Sequence, residues 1–137
     1  MKRILTFVLA IIVLCGMVLP ICAIGNGATP YYNNTARATA RFNIGETGEA
    51  VITLSYSGYT ACTTGATITS KIQKLVSGDW VDVNGASWID ECEEVRKTVQ
   101  HTKQLTSTGT YQLVYEFEVR GTGGDADIIN GTIEDTY

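Results

Sequence analysis

Apolar and polar residues alternate along most of this chain beyond its first two dozen positions. In Ala36 to Ile44, residues Ala36, Ala38, Ala40, Phe42 and Ile44 fall on one side and Arg37, Thr39, Arg41 and Asn43 on the other. A period of two is the mark of a strand with one face buried. Glu49 to Tyr56 repeats it after a Gly-Glu-Thr-Gly turn, with Ala50, Ile52, Leu54 and Tyr56 together. Tyr111 to Val119 repeats it again, with Tyr111, Leu113, Tyr115, Phe117 and Val119 on one face. Ala66 to Leu75 and Trp80 to Val83 are β-rich runs joined across Ser77-Gly78-Asp79, a hairpin signal. Glu94 to Thr102 is a weaker strand, with Val95, Lys97, Val99 and His101 on one face. A last strand runs from Asp127 to Glu134, where Gly131 predicts a bulge. Beyond the leader no segment has a helical period. About seven short strands with turns every 8–12 residues predict an all-β fold, an antiparallel two-sheet β-sandwich. Its expected core includes Phe42, Ile52, Leu54, Leu113, Tyr115 and Phe117.

The N-terminus breaks the alternation. Lys2 and Arg3 precede an apolar run from Ile4 to Leu19, Pro20 ends it, and Ile21 to Ala23 closes on a small residue. This is the layout of a helical signal peptide over residues 1–23, cleaved after Ala23 or, as second choice, after Gly25. The run of 16 residues is short against the roughly 20 of a spanning helix, so no stable membrane insertion is expected after cleavage. Residues 24–34, rich in Gly, Asn and Pro, read as a flexible linker, and residues 35–137 as the sandwich domain.

Cleavage also changes the charge. Lys2 and Arg3 leave, so ten basic residues become eight against fourteen acidic ones, a net charge of −6. An acidic chain with no basic run argues against nucleic acid and against anionic membrane surfaces. Cys15 and Cys22 leave too, and Cys62 and Cys92 remain in a protein sent to an oxidising place.

The segment Thr108 to Leu113 resembles the tyrosine corner that opens the sixth strand of immunoglobulin-like sandwiches, with Tyr111 in the role of the corner tyrosine. The likeness extends to architecture and no further. Leu113 stands where an immunoglobulin domain has its second core cysteine, and Trp80 falls one strand later than the core tryptophan. A longer likeness covers nearly the whole mature chain: LSYSGYTAC, ITSKIQKLVSGDWVDVNGASW, GTYQLVYEFEV and a late Glu134. Together they resemble a family of small secreted proteins from Gram-positive bacteria, a domain of unknown function. That resemblance implies a fold and a secreted life, and no activity.

Cys92 sits among four carboxylates, Asp90, Glu91, Glu93 and Glu94. A nucleophilic thiolate needs nearby cations, and carboxylates push the other way. The single histidine, His101, lies nine residues off along a predicted strand, far from the hydrogen-bond reach of a Cys–His pair. Two cysteines and one histidine fall short of a structural zinc site. Asp125 and Asp127 begin a run that partly fits a calcium loop, but Ile129 takes the third ligand position. In an immunoglobulin-like order the second strand runs antiparallel to the fifth, which sets Cys62 and Cys92 at one end of the sandwich. A disulfide between them is expected, stabilising by about 3–4 kcal/mol on the chain-entropy estimate. Glu116 and Glu118 share a strand face, but on the open solvent side. Trp80, Trp88 and Tyr59 remain as aromatics able to stack on a sugar or anchor a protein.

The sequence therefore predicts a secreted, non-catalytic β-sandwich that needs no cofactor and binds a protein or glycan at the cell surface. The alternative is a metal-dependent enzyme using the acidic residues from Asp90 to Glu94, with Asp125 and Asp127 as further metal ligands.

Overall fold

Seven strands take up the alternating segments: β1 (Thr35–Ile44), β2 (Glu49–Gly58), β3 (Thr63–Val76), β4 (Asp79–Cys92), β5 (Arg96–Gln104), β6 (Thr110–Gly121) and β7 (Asp127–Thr136). They come from a computed structural model that describes residues 32–137. The signal peptide and most of the linker expected from the sequence lie outside the described residues. Every pairing is antiparallel, in a three-stranded sheet ordered β1-β2-β5 and a four-stranded sheet ordered β4-β3-β6-β7. No helix occurs among the described residues. The two sheets bury their inward rows against each other: Phe42; Ala50, Ile52, Leu54 and Tyr56; Ala66, Ile68 and Ile72; Leu113, Phe117 and Val119. This is the β-sandwich that the period of two predicts.

Several local expectations are corrected. β4 does not stop at Val83 but continues to Cys92. Lys71 pairs with Ser87 and Gln73 with Asp82, so the four residues from Val83 to Ala86 face the single residue Ile72. This irregularity, four residues against one, is larger than an ordinary β-bulge and breaks the alternation at Val83. From its last residue onward, Ala86, Trp88, Asp90 and Cys92 turn inward while Ser87, Ile89 and Glu91 turn outward. In β1 a bulge between Thr35 and Arg37 exposes Ala36 and buries Thr35 instead. β7 carries no bulge at Gly131. Gly131 instead makes room for a neighbouring side chain. A Cβ there would lie 2.7 Å from the hydroxyl of Tyr115, its partner on β6. Tyr115 is only half-buried, and its ring meets Phe117 edge-on with centroids 5.8 Å apart.

The hairpin between β3 and β4 is the one its turn residues demand. Val76 pairs with Asp79, and both central residues have positive φ, 54° at Ser77 and 96° at Gly78. Positive φ at both positions defines a type I′ turn, whose twist suits two antiparallel strands.

The tyrosine corner is present. Tyr111 is buried, and its hydroxyl donates to the Ser107 carbonyl at 2.6 Å. The Lys74 ammonium lies 5.4 Å above the centre of the Tyr111 ring and bonds the Ser107 hydroxyl at 2.6 Å. The turn before β6 is thus held from both sides.

The expected Cys62–Cys92 disulfide is not formed, because the sulfurs do not stand at bonding distance. Register is the reason. β4 is set so that Cys92 lies opposite Ala66, four residues beyond Cys62. Cys62 is tied to the other flank of β3: its thiol donates to the Asn33 carbonyl at 3.7 Å, and its own carbonyl accepts from Thr122 N–H at 2.8 Å. Both side chains are buried.

Candidate functional site

Four of the residues singled out for chemistry, Trp88, Asp90, His101 and Asp127, lie in the two lateral seams where the sheets meet. At one seam β4 faces β5. Asp90 and Trp88 point inward from β4, and His101 points inward from β5 opposite the core residue Ile52. His101 Nε2 lies 2.7 Å from Asp90 Oδ2, and its ring stacks on Trp88 at 4.8 Å with an 11° interplanar angle. Asp90 is therefore not a solvated loop carboxylate but one half of a clasp between sheets. Cys92, two residues further on, has its thiol pushed up by burial first, then by Glu94 and Asp90. It is held protonated, the opposite of an activated nucleophile.

At the other seam β7 faces β1. Asp127 is buried, and its two oxygens accept from the Asn33 N–H at 2.8 Å, the Asn34 N–H at 2.7 Å and the Thr35 hydroxyl at 2.8 Å. At the far end Asp135 accepts from the Ile44 N–H at 2.7 Å. Two carboxylates eight residues apart thus hold both ends of β1. Asn34 is fully buried; its side chain donates to the Asp125 carbonyl at 2.9 Å and accepts from the Gly123 N–H at 3.2 Å. Asn33 and Asn34, expected in the flexible linker, are anchors of the fold. An Asn pair just before the first strand reads as loop in sequence because its partner Asp127 lies 93 residues away.

The remaining acidic residues scatter. Glu91 points outward to Thr67 and Arg120, Glu94 pairs with Lys97, and Asp125 is exposed. No group of three or more His, Cys, Asp or Glu side chains gathers at metal-binding spacing among the described residues. The aromatics do not converge either. Tyr59 is exposed in the loop before β3, Trp80 pairs with Leu75 near the hairpin at the far end of β3, and Trp88 lies in the seam.

What the molecule leaves open is the outer face of the four-stranded sheet. A groove of about 510 Å³ crosses its middle, lined among others by Thr69, Lys71, Ser87, Ile89, Val114 and Glu116. Register sets Ile89, Thr69, Glu116 and Asn130 in one row and Ser87, Lys71, Val114 and Thr132 in the next. Among the described residues Ile89 is the most exposed large apolar one, at 73%. Polar networks bound the groove on both sides. On one, Asp82 pairs with Lys71 at 2.9 Å and accepts from Gln73, which in turn accepts from Gln112. On the other, Arg120 bonds Thr67 and Glu91. The sequence alone does not place Ile89 on this face, because the irregularity from Val83 to Ala86 interrupts the alternation that would carry the strand through to it.

No family model, curated relative or solved structure matches this chain.

Proposed function

We propose that this chain is a secreted, non-catalytic binding module that works at the cell surface or after release from it. The signal-like N-terminus supports the compartment. The strand order β1-β2-β5 against β4-β3-β6-β7, with the Tyr111 corner, supports an immunoglobulin-like sandwich as its scaffold. The observation that carries the reading is the groove over the four-stranded sheet. It sets two apolar residues, Ile89 on the edge strand β4 and Val114 on β6, among polar and charged ones, the mixed character of a recognition surface. The side chains able to do chemistry, Asp90, His101, Cys92 and Asp127, are meanwhile engaged inside the fold.

The test is binding of the purified mature protein to a glycan array and to separated surface proteins of the producing cell, in parallel with Ile89→Asp. Ile89 is exposed enough that this change leaves the fold intact. A ligand held by the wild type and lost by Ile89→Asp supports the groove. Ligands held equally by both, or no ligand for the wild type, overturn it.

A further inference from the structure

The outer face of the three-stranded sheet has the opposite character. Its outward row on β1 is Arg37, Thr39 and Arg41; on β2 it is Ser57, Ser55 and Thr53; on β5 it is Arg96, Thr98 and Gln100. Register aligns these as Arg37–Ser57–Arg96, Thr39–Ser55–Thr98 and Arg41–Thr53–Gln100. A shallow concavity of about 450 Å³ lies over this patch, with Arg37, Arg41 and the hydroxyl residues as its lining. Three of the four arginines among the described residues therefore stand on one face, all exposed. None of the three pairs with a carboxylate among the described residues, whereas the fourth, Arg120, bonds Glu91. No Asp or Glu lies among the nine residues of these three rows.

An acidic protein that gathers unpaired arginines over a floor of hydroxyls has a surface complementary to an anion. We propose that this face binds an acidic polysaccharide, a linear sugar chain carrying carboxylates. Arg37 and Arg96 are two strand spacings apart, about 10 Å, and Arg37 and Arg41 four residues apart, about 13 Å. Cations that far apart suit charges spaced along a sugar chain rather than a dense polyanion. The guanidinium fork matches a carboxylate in two parallel hydrogen bonds. Thr39, Thr53, Ser55, Ser57 and Thr98 offer hydroxyls that both donate and accept, as sugar hydroxyls require. The face carries no outward aromatic on which bases could stack, unlike surfaces that take single-stranded nucleic acid. Its single outward apolar residue, Val51, is half-buried, too little to enter a lipid surface. This site is on the opposite sheet from the groove described above and does not rest on it.

The experiment uses the mature protein on immobilised polygalacturonate, with neutral dextran, single-stranded DNA and phosphatidylserine vesicles as separate arms. Retention is expected on polygalacturonate and not on dextran, weakening as salt rises. Arg37→Ala, Arg41→Ala and Arg96→Ala are each expected to lower affinity about fivefold, the size of one exposed charged contact. Arg120→Ala, which removes the same charge from the other sheet, is expected to leave affinity unchanged. Equal loss in Arg120→Ala reduces the effect to net charge and overturns the site. Equal or tighter retention on DNA or vesicles overturns the choice of ligand. No retention on polygalacturonate, or a dimer in sedimentation that the arginine variants abolish, overturns the proposal. Loss of the groove's ligand in Ile89→Asp with polygalacturonate binding retained separates the two faces.

Discussion

His101 on β5 meets Asp90 on β4 at 2.7 Å, across the seam between sheets that share no backbone ladder. Both residues are largely but not fully covered, with side chains 18% and 23% exposed. The pair, with Trp88 stacked on the imidazole, is what closes this side of the sandwich. In a double-mutant cycle of Asp90→Asn and His101→Phe, a coupling of about 0.5–1.5 kcal/mol is expected from urea unfolding. Additive effects would show that the two side chains merely sit side by side.

On the opposite seam, Asp127→Asn removes the charge and turns one acceptor oxygen into a donor facing donors. One oxygen remains, so either Asn33 or the pair Asn34 and Thr35 loses its acceptor and faces the new NH2. A loss of about 2–4 kcal/mol is expected, since a buried group left unsatisfied costs its full desolvation. The urea midpoint measures it, and hydrogen exchange should show β1 opening first. A variant within 0.5 kcal/mol of wild type, roughly the scatter of surface changes, would deny the carboxylate its role as anchor.

Tyr111→Phe keeps the ring under Lys74 and removes only the hydroxyl that bonds Ser107. A destabilisation of about 1–2 kcal/mol is expected. Calorimetry would read it as a fall in Tm; an unchanged Tm would mean the corner hydrogen bond carries no weight.

Ser70 faces inward from β3 between Trp88 and Tyr115, and its buried hydroxyl has no hydrogen-bond partner among the described residues. Removing an unsatisfied polar atom should help. Ser70→Ala is expected to stabilise by about 1 kcal/mol, the low end of what an unpaired buried hydroxyl costs. Destabilisation by the same substitution would reveal a partner for that hydroxyl, such as an internal water.

Tyr56 is buried, and its hydroxyl donates to the Glu94 carbonyl at 2.5 Å. Burial, helped by Cys92 and Glu94, pushes its pKa up from 10.0 to about 12. The raised value means the folded state holds the phenol proton more tightly than the unfolded chain. The associated stability is fully present below pH 10, and is lost as pH rises through about 12. Two units amount to about 3 kcal/mol. Absorbance at 295 nm should show one tyrosine fewer ionising near pH 10 than in urea, and Tyr56→Phe should remove that lag. Full ionisation at the ordinary pH in the folded protein would place Tyr56 in contact with solvent.

Strand existence and the inward faces of β2 and β6 were legible because large apolar residues recur there at every second position, which sets Ile52, Leu54, Leu113 and Phe117 on one face. The hairpin at Ser77-Gly78 and the Tyr111 corner were legible for a like reason: the bonds that make them run over a few residues. Where an irregularity intervenes, as at Val83 to Ala86, the pattern slips and the strand seems to end. What the sequence could not show is every relationship made across the sandwich. The separation of Cys62 from Cys92 follows from the register of β4 on β3. The meeting of Asp90 with His101, and of Asp127 with Asn34, depends on which edge strands face each other. The gathering of Arg96 beside Arg37 needs β5 to pair with β2 after a long excursion through the other sheet. Local alternation sets which face of a strand is wet. Only packing of one sheet on the other decides which distant side chains share a seam or a face, because that choice is made by contacts between residues far apart in the chain.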